Sequence, residues 1–340
     1  MRAVAYRESL PIEAGSSLID LELPRPEPGA RDLLVEIRAV SVNPVDTKVR
    51  VRMQPEPGGA KVLGYDAAGI VTAVGPEASL FKPGDEVFYA GAITRPGTNA
   101  EFHVVDERLV GLKPRSLSFA EAAALPLTSL TAFETLFDRL DILRPVTGAA
   151  NAILILGAGG GVGSVAVQLA RRLTDVTVIA TASRPETGSW VRELGAHHVI
   201  DHSRPIAGQV EALGLGAPAF VFSITQTEEH FPEIAKLIAP QGRFALIDDP
   251  KAPLDIGQLK SKSVSIHWES MFTRSTFQTA DMQRQHEILG EVARLVDAGT
   301  LRTTLADTLG PINAANLKRA HAFIESGRAR GKIVLSGFGT

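Results

Sequence analysis

Along residues 33–42 (LLVEIRAVSV) apolar and polar side chains alternate with the period of two that marks a half-buried strand. Residues 69–74 (GIVTAV) repeat the pattern, and Lys82-Pro83-Gly84-Asp85 makes a turn into a strand at 86–89. The first third of the chain is rich in β-branched residues and punctuated by Pro and Gly, which predicts a β-rich, partly barrel-like domain. The texture changes near Ser118, where Ser118 and Glu121 have capping-box spacing and the alanines that follow favour helix. Beyond residue 152 apolar strands are predicted at 153–156, 176–180, 198–200, 220–224, 243–247 and 264–267. Helices are predicted between several of them, at 162–173, 186–194 and 229–238. That alternation predicts an α/β fold with a doubly wound parallel sheet. Amphipathic helices at 282–298 and 314–326 and a strand at 332–335 close the chain.

Composition narrows the classes. A chain of 340 residues with 44% hydrophobic and 21% charged residues suits two domains with well-filled cores. A net charge of −3 gives no electrostatic attraction to nucleic acid or an anionic membrane. No apolar run approaches the roughly 20 residues of a bilayer span, and the first residues lack a secretory pattern, so a cytoplasmic protein is expected. Cysteine is absent, which removes disulfides, thiolate nucleophiles and every Cys-containing metal site. The eight His residues show no HExxH or HxH spacing, and adjacent His197 and His198 point to different faces of any element. No metal site is expected.

The strongest chemical signal is Gly157-Ala158-Gly159-Gly160-Gly161-Val162-Gly163, between the first strand and first helix of the α/β region. A pyrophosphate at a helix N-terminus needs a tight turn, no side chain in its way and free N–H groups. An apolar strand before, an apolar helix after and a second strand on schedule strengthen the reading over a plain structural turn. The spacing fits AxGxxG or GxxGxxG, and no GxxxxGK[ST] pattern of a triphosphate site occurs. At the end of the second strand, where an NAD site would place an acidic residue, stand Ala182-Ser183-Arg184, with Arg184 21 positions beyond Gly163. Arg offers a fixed fork of donors for a phosphate and Ser a hydroxyl, so Ser183 and Arg184 are expected to hold the 2′-phosphate of NADP(H). A solvated Arg near a helix start is the plainer alternative.

Several segments, in order, resemble the medium-chain dehydrogenase/reductase superfamily: residues 41–46 (SVNPVD), 63–71 (LGYDAAGIV), 82–87 (KPGDEV), 125–133 (LPLTSLTAF), the GAGGGVG turn and 331–335 (GKIVL). The Asn-Pro-x-Asp and GYD forms resemble the quinone oxidoreductase branch, and the whole resembles the bacterial zinc-type alcohol dehydrogenase-like subgroup. The resemblance implies a GroES-like catalytic domain over residues 1–126 and 269–340, and a Rossmann NADP-binding domain over 127–268. It also implies a cleft in which Asn43, Asp46, Tyr65 and Thr128 lie near an acceptor. Zinc members carry Cys, His and Cys or Asp where this chain has Asn43, Tyr65 and Leu127, so a metal-free enzyme is implied. Hydride transfer from NADPH to a quinone or an α,β-unsaturated carbonyl needs no Lewis acid, whereas alcohol oxidation leans on one. Asn43 and Tyr65 are then candidates to polarise the acceptor oxygen, Tyr65 alternatively only shaping the pocket, and Asp46 either bracing a turn or meeting a ribose.

Trp268, Met271, Phe272 and Phe277 form an apolar-aromatic group in sequence that suits a flat or alkyl acceptor, or equally core or dimer packing. The strand at 264–267 is expected at a sheet edge, where it could pair with a second copy to give a homodimer. A zinc-dependent alcohol dehydrogenase and a non-enzymatic, crystallin-like NADPH-binding protein remain as alternatives.

Overall fold

A computed structural model describes residues 1–339. It divides into two compact units, one made of residues from Met1 to Leu130 together with those from Phe272 onward, the other of Thr131–Met271.

The first unit is built on a seven-stranded sheet. Its order is Leu305–Thr308, Lys332–Ser336, Asp32–Val42, Ala67–Val74, Glu86–Tyr89 and Val110–Leu112, with Phe102–Asp106 also pairing on Asp32–Val42. A smaller sheet joins Arg2–Tyr6 to Ile19–Glu22 and Lys61–Val62. The alternation expected at 33–42 holds only over 35–38, where Val35 and Ile37 are buried, Glu36 half-buried and Arg38 exposed; Leu33 and Leu34 are both buried. Beyond residue 38 the strand is buried on both faces, because other strands and a helix cover it. Two registers matter for function. Lys332–Ser336 runs antiparallel to Asp32–Val42 with Ile333 opposite Val42. Ala67–Val74 lies on the other side, with Ala67 opposite Val40. The strand ends carrying Ser41 to Asn43, Asp66 and Lys332 therefore meet at one corner of the sheet. The short helix α1, Pro44–Arg52, starts from that corner.

The second unit holds a six-stranded, all-parallel sheet: β1 (Ala150–Leu156), β2 (Thr177–Thr181), β3 (His198–Ile200), β4 (Pro218–Ser223), β5 (Arg243–Leu246) and β6 (Ser265–Trp268). Its order is β3-β2-β1-β4-β5-β6, so the winding reverses between β1 and β4, where such folds bind ligands at the carboxyl ends of the strands. Helices α2 (Gly161–Leu173), α3 (Pro185–Leu194) and α4 (Thr227–Leu237) connect successive strands. Leu154, Leu156, Ile179, Val221, Ile234 and Phe244 lie in one core cluster. Each such side chain, fully buried, contributes roughly 1.5–3 kcal/mol. Strand β6 stands at the sheet edge. Among the described residues, no helix is long and apolar enough to cross a membrane.

Candidate active site

The glycine turn leaves β1 and enters α2. Gly157 has φ +76°, a conformation that side chains resist, and its N–H donates to the Thr181 hydroxyl at 3.2 Å, tying the turn to the end of β2. A Cβ on Gly163 would come within 2.5 Å of the Gly157 carbonyl oxygen and the Ala158 Cα, so the helix packs on the turn with no room for one. Gly160 is different. It caps α2 in an extended conformation open to any residue, φ −75° and ψ −178°, and a Cβ there would meet nothing nearer than 3.6 Å. No side chain caps this helix; Ser164 makes its first backbone bond to Gly160 at 2.9 Å, ahead of which residues 161–163 have no intrahelical acceptor. The turn thus presents an open space to amides at the positive end of a 13-residue helix, the cradle a diphosphate requires.

Beyond the end of β2, Ser183 is exposed and Arg184, half-buried, precedes α3. The Arg184 Nε stands 3.5 Å from a carboxylate oxygen of exposed Glu186, a loose contact of the kind that contributes little when solvated. The structure thus brings Gly157 to Gly163 together on one turn and sets Ser183 and Arg184 at the adjoining strand end.

The second site lies in the first unit, where four donors converge on the buried carboxylate of Asp66. Its Oδ1 accepts the Leu127 N–H at 2.7 Å. Its Oδ2 accepts from Ser41 Oγ at 2.9 Å, Asn43 Nδ2 at 2.8 Å and Lys332 Nζ at 3.0 Å. Lys332 also donates to Val42 O at 3.0 Å and to Asn43 Oδ1. Asp66 closes the Gly-Tyr-Asp form, which by itself assigns it no role, and Lys332 is expected to pack or pair within the catalytic domain or, as in some members of the resembling family, to reach the cofactor; a ladder register, which no local pattern reveals, joins the two.

Asp46 makes the contacts of a brace, one of the two roles expected of it. It is buried at the third position of α1, and its Oδ2 accepts the Asn43 N–H at 2.8 Å while Oδ1 accepts the Gly64 N–H at 2.9 Å. Burial is the largest influence on its acidity and pushes the carboxyl up to about 7, against the two N–H bonds and the Lys332 charge, which pull it down. A raised folded value means that the folded state holds a proton the unfolded chain has released. The stabilisation from that proton is full below about pH 4 and is lost as pH rises through about 7. Urea unfolding of wild type and Asp46→Asn at pH 4.5, 6 and 8 should show the wild type's advantage shrinking as pH increases.

Tyr65 is buried, packs edge-on against Phe272 at 5.4 Å between ring centroids, and carries a hydroxyl without a hydrogen-bond partner. Burial, then the nearby Asp46 carboxylate, raises its pKa above the ordinary phenol range, so it can offer a hydrogen bond but not a negative charge. An unpaired buried hydroxyl costs about 1–3 kcal/mol. Tyr65→Phe should accordingly unfold at an unchanged or higher denaturant concentration than wild type. Thr128 is committed to its own helix, its hydroxyl donating to Leu125 O at 3.0 Å.

The aromatic group expected to line an acceptor pocket is not one environment. Met271 and Phe272 are buried, whereas Trp268 on edge strand β6 is 59% exposed and Phe277 is 75% exposed. These sequence neighbours are separated because a strand end, a turn and a short helix at Thr273–Phe277 intervene.

A zinc ion finds no donor set here. Asn43 has its amide engaged at both ends, position 127 is leucine, and every oxygen of Asp66 is taken by a donor, one of them an ammonium. Among the described residues no three His, Cys, Asp or Glu side chains form a metal-binding group.

Known proteins agree with this arrangement of parts. Residues 29–132 match the alcohol dehydrogenase GroES-like domain, and residues 194–335 match the zinc-binding dehydrogenase family. A zinc-type alcohol dehydrogenase-like protein of Staphylococcus aureus is 36% identical over 337 residues, covering 99% of this chain and 100% of the relative. A Rhizobium etli protein, provisionally assigned as a zinc-dependent alcohol dehydrogenase, is 66% identical with a TM-score of 0.98 over 100% of this chain and 99% of its own. The quinone oxidoreductase of Pseudomonas syringae pv. Tomato is 26% identical with a TM-score of 0.82, over 98% of this chain and 99% of its own. A relative above 30% identity that matches the chain from end to end leaves one conclusion: the chain belongs to the medium-chain dehydrogenase/reductase superfamily.

Proposed function

We propose that the chain is an NADPH-dependent oxidoreductase that passes a hydride to a quinone or an α,β-unsaturated carbonyl without a metal ion. The observation that carries this reading is Gly160. Its backbone suits a residue with a side chain and a Cβ there would meet nothing nearer than 3.6 Å, so the bare space before α2 supports a ligand at this turn. The residues around it would hold the diphosphate through the amides of 161–163, and Ser183 and Arg184 would hold the 2′-phosphate, drawing the guanidinium away from Glu186. Arg184→Ala should raise the KM for NADPH about 10- to 100-fold, the worth of a charge-assisted bond, and leave that for NADH within about twofold. Equal losses with both cofactors in steady-state assays would sink the 2′-phosphate assignment.

The bound dinucleotide supplies the hydride. The protein's part is to orient the acceptor, exclude water and meet the charge that develops on its oxygen. Tyr65, with a buried and unpaired hydroxyl, supports a role as donor to that oxygen, and Asn43 would stand beside it. Tyr65→Phe should lower kcat about tenfold or more with a quinone; an unchanged kcat would leave Tyr65 as a wall of the pocket. The saturated carboxylate of Asp66 supports the metal-free reading. Open edge strand β6 supports a homodimer formed by pairing with a second copy. The test of the whole is a stopped-flow screen of NADPH oxidation against quinones, enals and aldehydes with zinc content measured on the same sample. Turnover of quinones or enals at negligible zinc is expected. Stoichiometric zinc with activity lost on chelation would replace this reading with an alcohol dehydrogenase, and tight NADPH binding without turnover would replace it with a binding protein.

A further inference from the structure

We infer that Lys332 is a positioning residue for the acceptor: a resident cation that locks the Asn43 amide so that the site offers its N–H edge and not its carbonyl. The inference rests on the proposal that Asn43 faces the acceptor, and it names how that residue is held. An ammonium can only donate, so the Asn43 atom that Lys332 meets is Oδ1. A carboxylate can only accept, so the atom 2.8 Å from Asp66 Oδ2 is Nδ2. Turning the amide over would set NH2 against NH3⁺ and C=O against COO⁻, both in a buried place. One Nδ2 hydrogen is spent on Asp66, and the second is the one the proposal assigns to a ligand oxygen.

Lys332 is the counter-ion of buried Asp66, and its contacts go beyond that charge. Asp66 already accepts from Leu127 N–H, Ser41 Oγ and Asn43 Nδ2. Burying an ammonium is costly, and such pairs are often replaced by apolar residues without loss of stability. What Lys332 adds is the contact with Asn43 Oδ1 and the Val42 carbonyl, at the point where the antiparallel register delivers it. A fixed donor is what an acceptor oxygen gaining negative charge requires, because it need not reorient during the reaction.

The experiment uses the full chain with Lys332→Met, Asn43→Ala, their combination, and the charge-balanced pair Lys332→Met with Asp66→Asn. Each is assayed for kcat and KM with NADPH and 1,4-naphthoquinone, and the side-chain amide of Asn43 is followed by 15N NMR. Lys332→Met and Asn43→Ala are each expected to lower kcat about 10- to 100-fold. The combination should be no worse than Asn43→Ala alone, because Lys332 acts through it. The charge-balanced pair should stay as slow as Lys332→Met, and it carries the test if Lys332→Met alone does not fold. In the Lys332 variants the Asn43 amide signals should shift and broaden. Multiplying losses, wild-type kcat in the charge-balanced pair, or an unaltered Asn43 amide would overturn the inference. Absence of turnover in wild type with every quinone and enal would instead defeat the proposed function, and the NMR comparison would still decide whether Lys332 holds Asn43.

Discussion

Gly160→Val is expected to abolish measurable NADPH binding while the protein melts within a few degrees of wild type. The backbone at 160 lies in an extended region natural to valine, and a Cβ built on it meets nothing nearer than 3.6 Å, so the change costs the folded chain little beyond the weaker N-cap that valine makes. The isopropyl group would occupy the space in front of the first-turn amides. Losing two charge-assisted hydrogen bonds at roughly 1.5–3 kcal/mol each corresponds to a hundredfold or greater rise in Kd. Gly163→Val is the contrasting variant, since its Cβ collides with backbone at 2.5 Å and should cost stability as well as binding. Fluorescence titration with NADPH beside a thermal melt separates the two. A Gly160→Val protein that binds NADPH like wild type would show that the turn is only a bend in the chain.

The second large effect is on folding. Asp66→Ala should destabilise the chain by about 3–5 kcal/mol, the usual cost of stranding one partner of a buried ion pair. Four donors lose their acceptor at once, and one is the buried Lys332 ammonium. Asp66→Asn should cost less, since an amide oxygen still receives Leu127 N–H and the Ser41 hydroxyl can turn to accept. The denaturant midpoints of the two variants, taken with wild type, give the comparison. An Asp66→Ala protein as stable as wild type would mean that the corner of the sheet rearranges without it.

The parallel sheet was legible because its strands are short apolar runs spaced by helices, and six of six predicted runs overlap β1 to β6. The glycine turn was legible for the same local reason: strand, turn and helix follow within one stretch of chain. The strands at Arg2–Tyr6 and Ile19–Glu22 and helix α1 were not predicted. Arg2–Tyr6 is buried by distant segments, and α1 is short and weakly amphipathic, held by Asn43 and Asp46 rather than by an apolar face. The same limit governs the polar site. Asn43 and Tyr65 could be suspected from motif resemblance, but Asp66 with Lys332 is a pairing across 266 positions that only a strand register creates. At 268–277 proximity in sequence says nothing about facing, because secondary structure changes within ten residues and leaves Trp268 and Phe277 exposed but Met271 and Phe272 buried.

Asp46 binds two backbone amides from different motifs, Asn43 N–H and Gly64 N–H, with its two oxygens. The Asn-Pro-x-Asp and Gly-Tyr-Asp segments are for this reason mechanically one piece. A chimera that exchanges one segment for a relative's version has to keep the residue at 46 long enough to reach the amide at 64.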